Sequence, residues 1–146
     1  MKKPLLMCFL LLTLILGACG GGGVEGETVS ITGALIGEDQ NGFRENIKAI
    51  EEATGIIVTY QGSDNFEQEI QIQMESGDTP DFALFPQPGG VVDAAQRGML
   101  TSLEDLGIDL EEYKSNFSPY LVSLGTVDGV IYGGANAANL KSIVWY

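Results

Sequence analysis

The 146-residue chain contains no histidine, two cysteines, one tryptophan and seven cationic side chains against 20 Asp and Glu. Each scarcity excludes a class of chemistry. Without an imidazole there is no Ser-His-Asp or Cys-His nucleophile system and none of the usual zinc sites, which use histidine as base or ligand. Nucleic-acid binding needs clustered Lys and Arg to neutralise phosphates. Here Lys2, Lys3, Arg44, Lys48, Arg97, Lys114 and Lys141 are scattered along the chain, and the formal charge is −13. No nucleic-acid partner, catalytic set, metal or cofactor is expected. What is present, 45% hydrophobic residues and 20 glycines, is unlike a disordered chain, in which low hydrophobicity accompanies high charge. A chain of this length forms one domain or part of one.

Lys2 and Lys3 precede an apolar run over residues 5–16, interrupted only by Thr13. That is the order of a secretory signal. Twelve helical residues rise about 18 Å, well short of the roughly 30 Å needed to span hydrocarbon. The segment ends Leu16-Gly17-Ala18-Cys19, which resembles the bacterial lipobox, where a small pair precedes a cysteine that is lipidated and becomes the mature N-terminus. The alternative is an ordinary secreted protein with a stray cysteine. Four glycines follow Cys19 as a flexible tether. Residues 1–18 are thus read as signal and 19–27 as lipidated tether. Cleavage removes Cys8 together with Lys2 and Lys3, which leaves no thiol for a disulfide and five cations against 20 acids, a mature charge of −15.

From Glu27 onward the apolar period switches repeatedly between two and about 3.6, the mark of alternating strands and helices. Residues 28–36 read as a strand, stopped by Gly37 and a polar loop through Gly42. Phe43, Ile47 and Ile50 then form a helical stripe closed by Gly55. Residues 56–60 read as a second strand. Phe66, Ile70 and Met74 form a second stripe, with Asp64 as N-cap, Glu67 as its capping-box partner and Gly77 as the stop. Residues 81–85 give a third strand, and residues 86–90 lead into a helix carrying Val92, Ala95 and Met99. Helical crossovers make such strands parallel, and the loops leaving them, 37–42, 61–65 and 86–90, gather at the edge where open α/β sheets bind ligands. Further on, two short helices are capped by Asp109 and by Ser118-Pro119, and residues 126–132 form a hairpin around Asp128-Gly129. Residues 141–146 open an apolar strand. Its unpaired aromatic end leads to the expectation of a chain truncated inside that strand.

At this point the residues carry a resemblance. The chain resembles the N-terminal lobe of an extracellular solute-binding protein of a sugar ABC transporter, the α-glucoside-binding kind in particular. The stretches that carry it are residues 43–55, Ser76-Gly77-Asp78-Thr79-Pro80-Asp81, residues 84–89 with Arg97-Gly98, the Val127-Asp128-Gly129 hairpin, and residues 139–146. The resemblance implies a two-lobed periplasmic-binding-protein-like clamp that captures a neutral sugar outside the cell and delivers it to the transmembrane subunits of a permease. Residues 28–140 would form the N-terminal α/β lobe, an open mostly parallel sheet of βα units, and residues 141–146 would start a hinge strand to a second lobe. The protein would be exported and held by its N-terminal lipid on the extracytoplasmic face of the membrane, in the periplasm or at the cell surface. One lobe of a clamp offers about half of the ligand's hydrogen bonds, so the chain alone is expected to bind weakly.

Sugar hydroxyls are met by planar side chains able to make two hydrogen bonds, and sugar C–H faces by aromatic rings. Asp39, Gln40, Asp64 and Gln87 are placed in the loops for the first task. Each also has a bland reading: Asp39 and Gln40 as solvated turn residues, Asp64 as a helix cap, Gln87 as a spacer between prolines. Asn136 and Asn139 can project from the loop before the last strand or simply hold turns, and Trp145 can flank the cleft or sit in the core. The loops hold no Lys or Arg to pair with a substrate carboxylate, which favours a neutral ligand over an amino acid or peptide. A ligand-free surface interaction lipoprotein is a third reading, but it leaves three converging βα units unexplained. An enzyme would have to work through loop carboxylates alone, and Glu38 and Asp39 lack the spacing of a calcium loop. For the anchor, Cys19→Ala is expected to release the protein from membranes; mass spectrometry of the mature N-terminus checks it, and an unmodified Cys19 would contradict it.

Overall fold

The computed structural model describes residues 26–136. Strand β1 (Thr28–Gly33) lies between β2 (Ile57–Gly62) and β3 (Phe82–Leu84), and both pairings are parallel. In register, Ile31 stands between Tyr60 and Phe82, Thr32 between Gln61 and Ala83, and Gly33 between Gly62 and Leu84. Because side chains alternate along a strand, Ile31, Tyr60 and Leu84 point to one face and Thr32 and Ala83 to the other. The expected α/β architecture with a parallel sheet is what the chain adopts.

The two faces are covered by different helices. Helix α1 (Gly37–Thr54) covers the first, where the Phe43 ring meets Tyr60 edge-on at 4.9 Å and Ile47 is buried. Helices α2 (Phe66–Ser76) and α3 (Pro88–Gln96) share the second: Phe66, Ile70, Met74 and Ala94 form a core with Ala34, Ala83, Phe85 and Leu100 packed against it. Phe66 and Ile70 are each only 2% exposed, and such burial contributes roughly 1.5–3 kcal/mol per side chain. Arg97, just past α3, ties the two helices together, bonding Gln71 and Glu75 of α2 and Asp93 of α3. The outer edge of β2 is protected by α1: the Glu51 carboxylate accepts the Val58 N–H at 2.7 Å.

Helices α4 (Leu110–Asn116) and α5 (Pro119–Leu124) begin as expected. Asp109 accepts the N–H groups of Glu111 and Glu112, and Ser118 accepts that of Leu121, with Pro119 at the first helical position. The hairpin β4 (Thr126–Val127) and β5 (Val130–Ile131) turns through Asp128 and Gly129, at φ 50° and 83°, the positive pair that an Asp-Gly turn supplies.

Several expectations are corrected. The first strand ends at Gly33 rather than Ile36, and the segment read as a polar loop, 37–42, is the start of α1. Glu38 and Asp39 suit the positive N-terminal end of a helix dipole, and Gln40, Phe43 and Ile47 fall at i, i+3 and i+7 on one face, so the helix extends two turns further back than its apolar stripe. Ile50, expected on that stripe, is exposed, and Met99 lies beyond the end of α3 and is also exposed. Asp64 does not cap α2. The helix starts at Phe66 after Asn65, with no side-chain cap bond, while Ser63 accepts the Asn65 N–H and donates to Glu69. The signal segment with Cys19, the residues through 25, Asn139, and the apolar segment 141–146 with Trp145 lie outside the described residues.

One latch joins the strands at the opposite end from these loops. Asp81, just before β3, accepts both the backbone N–H and the hydroxyl of Ser30, at 2.8 and 2.7 Å, and the Asp81 N–H donates back to the Ser30 hydroxyl at 3.0 Å. Those donors, the Ser30 amide first, hold the Asp81 carboxyl below its usual range. A depressed folded-state pKa gives stability that is present above the unfolded value, about 3.9, and lost as pH falls through the folded one. Asp81→Asn is therefore expected to lower the melting temperature at pH 7, with the difference from the parent chain shrinking as pH drops below about 3.9. Thermal unfolding across pH checks this, and a difference that persists unchanged in acid would contradict it.

Candidate functional site

A sheet in the order β2-β1-β3 sends its connections in opposite directions. From β1 the chain turns to α1 on one face; from β3 it turns to α3 on the other. The two departures part at the carboxyl ends of β1 and β3, and in open α/β sheets such a switch point is the crevice where ligands sit. The rim consists of residues 34–36, 63–65 and 85–87, three residues in each connection. Those following β1 and β3 flank the crevice, and those following β2 lie at the sheet's edge.

The first connection is held very tightly. The Tyr60 hydroxyl donates to the Leu35 carbonyl at 3.1 Å and accepts the Leu35 N–H at 3.0 Å, so a single phenol satisfies both polar groups of one loop residue. Ser63 N–H donates to the Gly33 carbonyl at 3.0 Å. The Leu35 carbonyl passes so close to Gly62 that a Cβ there would collide with it, and the same Cβ would lie 2.8 Å from the Gln40 side-chain oxygen. Gly62 is required by this close approach of backbone to backbone. Burial pushes the Tyr60 phenol above its ordinary pKa. In the third connection, the Phe85 ring packs onto Gly90, at a place where a side chain could not fit, and meets Phe66 edge-on at 5.4 Å.

The five expected ligand-binding residues are distributed unevenly around this rim. Gln40 is half-buried on α1, lying over Gly62 beside the Leu35 loop. Asp39 is exposed on the first turn of α1. Gln87 is exposed in extended conformation immediately before α3 and makes no capping bond, so its amide is free to face a ligand. Asp64 is exposed beside β2, at the sheet edge rather than at the crevice. Asn136 is exposed in the segment after β5; that segment passes Val91 on the first turn of α3 and Tyr113 on α4. Leu35 and Phe85 belong to the rim and Tyr60 and Gly62, in β2, support it; the residue pattern does not single out any of the four as site residues. Glycine at 62 and 90 was the available signal, since each marks a close contact.

The rim itself carries no cation. None of the nine connecting residues is Lys or Arg. Arg44, one helical turn below Gln40, donates to the Tyr60 carbonyl at 3.0 Å, and Arg97 lies at the far end of α3 from the rim, held between α2 and α3. Of the residues flanking the crevice, Gln87 offers an amide, and Gln40 on α1 offers a second beside it. A separate open depression of about 310 Å³ is lined by Lys114, Pro119, Val122, Ser123 and Thr126, none of them in the rim. Its polar groups already have partners: Thr126 bonds the Val122 carbonyl, Ser123 that of Tyr120, and Lys114 bonds Glu111. A polyhydroxylated ligand would find few open partners there.

No protein-family model matches the chain. Over 91% of its length it is 38% identical to the osmoprotective compounds-binding protein GgtB of Synechocystis, and over 86% it is 36% identical to the alpha-glucosides-binding periplasmic protein AglE of Rhizobium meliloti. Its homologues are extracellular solute-binding proteins of ABC transporters. The chain spans about a third of the length of these curated relatives, 32% and 29%. In fold it matches the maltose/maltodextrin-binding domain MalE of Bdellovibrio bacteriovorus, solved with maltotriose, at a TM-score of 0.57 and 22% identity, over 72% of this chain and 27% of that one. It is therefore a partial lobe of that architecture, as the resemblance in its residues implies.

Proposed function

We propose that the chain is the ligand-capturing lobe of a substrate-binding protein that serves a carbohydrate ABC transporter, taking a neutral sugar of the α-glucoside kind and handing it to the permease. The single observation that carries this is the crevice itself. Beside it stand the amides of Gln40 and Gln87, none of the connecting residues is a cation, and Arg44 on α1 is tied to the Tyr60 carbonyl. Hydroxyl groups suit such a rim, since each donates and accepts. A carboxylate ligand would find no free cation.

The relatives support the same class: AglE is named for alpha-glucosides, and the MalE domain was solved with maltotriose. GgtB is named for osmoprotective compounds, which favours a second reading in which the solute is a small neutral osmolyte held by the same rim. In the proposed organisation residues 1–18 direct export, Cys19 carries the lipid, residues up to 27 tether the lobe, and capture is binding without chemistry.

The test is calorimetry on this chain joined to the remaining length of its relatives, titrated with maltotriose and with a panel of amino acids. Micromolar maltotriose binding is expected, with the 146-residue chain alone weaker by at least tenfold, because half a clamp neither completes the hydrogen bonds nor excludes water. Tight binding of an amino acid with no response to maltotriose would contradict the proposal.

A further inference from the structure

Tyr60 does more than fill the interface between α1 and the sheet. Its ring, 5% exposed, packs against Phe43, and that contact needs only a phenyl group. The hydroxyl has a different task. It bonds both the N–H and the carbonyl of Leu35, 25 positions away in the chain and on the first of the two loops that flank the crevice. The Tyr60 carbonyl meanwhile accepts from Arg44, so α1 holds the tyrosine from its other side. Neighbouring Ile36 is extended and half exposed, and leads straight into Gly37 at φ 59°. Such a loop has no secondary structure of its own to fix it, and the Tyr60 hydroxyl supplies the side-chain restraint on the Leu35 peptide.

We propose that Tyr60 is the positioning residue of the ligand-facing loop, holding the Leu35 peptide in the one orientation that completes the crevice. This rests on the carbohydrate reading of the rim. Removing the hydroxyl leaves the Leu35 N–H and carbonyl to seek water, and the loop then divides its time among several orientations. A ligand that needs one of them binds with an affinity reduced by the fraction of time that orientation is present. If the loop is competent about a tenth of the time, affinity falls about tenfold, and the loss lies in the association rate because bound ligand itself holds the loop in the competent orientation.

The test compares the parent protein with Tyr60→Phe and Asp81→Asn, all in the chain joined to its relatives' remaining length, with maltotriose as probe. Tyr60→Phe keeps the ring, and Asp81→Asn loosens the Ser30 latch at the opposite end of the strands from the loop. Expected for Tyr60→Phe are an association rate down about tenfold, an unchanged dissociation rate and faster amide exchange at Leu35. Asp81→Asn is expected to lower the melting temperature and leave both rates alone. Equal association rates for parent and Tyr60→Phe would overturn the positioning role while leaving the carbohydrate reading intact. A similar loss in Asp81→Asn would reduce Tyr60 to a general stabiliser and likewise overturn it. A parent protein that takes up no maltotriose would overturn the carbohydrate reading and, with it, the ligand role of Tyr60.

Discussion

Parallel pairing of β1 with both of its neighbours is the constraint from which the rest of the structure follows. Parallel strands cannot be joined by a tight turn, so each must be followed by a crossover helix. The handedness of the crossovers then assigns α1 to one face and α2 to the other, where α3 packs beside it. All three strands deliver their carboxyl ends to one edge. With β1 in the middle of the order, the loops after β1 and β3 must part company, and a crevice is left where they do. The Ser30–Asp81 latch at the amino ends of β1 and β3 holds the other edge closed. A site at this position is thus a consequence of topology, before any particular side chain is considered.

Side chains decide what the crevice accepts. In a chain with 20 acids and seven cations, a free Lys or Arg near the rim would draw anionic solutes, yet Arg44 is spent on the Tyr60 carbonyl and Arg97 lies at the far end of α3. The acids, by contrast, are mostly solvated. Asp39 and Asp64 stand exposed at helix starts, where a negative charge is compatible with the helix dipole and asks nothing of a ligand. Gln40, half-buried against Gly62, and Gln87, without a capping bond, are the two expected residues whose amides have not been given another task by the fold.

Much of this was legible in the residues, and the limits have physical causes. The stripe of Phe66, Ile70 and Met74, the caps at Asp109 and Ser118 and the Asp128-Gly129 turn are local signals, in which a few neighbouring residues determine the outcome, and each appears as expected. The start of α1 was misplaced because Glu38, Asp39, Gln40 and Asn41 are polar without being helix-breaking, and glycines at 37 and 42 imitate loop punctuation. Asp64 followed by Glu67 has the spacing of a capping box, but the helix begins one residue too late to use it. Tyr60 could not have been found at all from local pattern: in sequence it is one more aromatic strand residue, and its meaning lies in a bond to Leu35 that only the crossing of β2 beside β1 brings about.

The central claim is that solute is captured at the carboxyl edge of the sheet, between the loops after β1 and β3. Hydrogen–deuterium exchange on the chain joined to its relatives' remaining length, with and without maltotriose, tests it most directly. Protection is predicted at residues 34–40 and 85–90, with residues 110–126 around the apolar depression unchanged. Protection confined to residues 110–126, with the two crevice loops exchanging as before, would contradict the account.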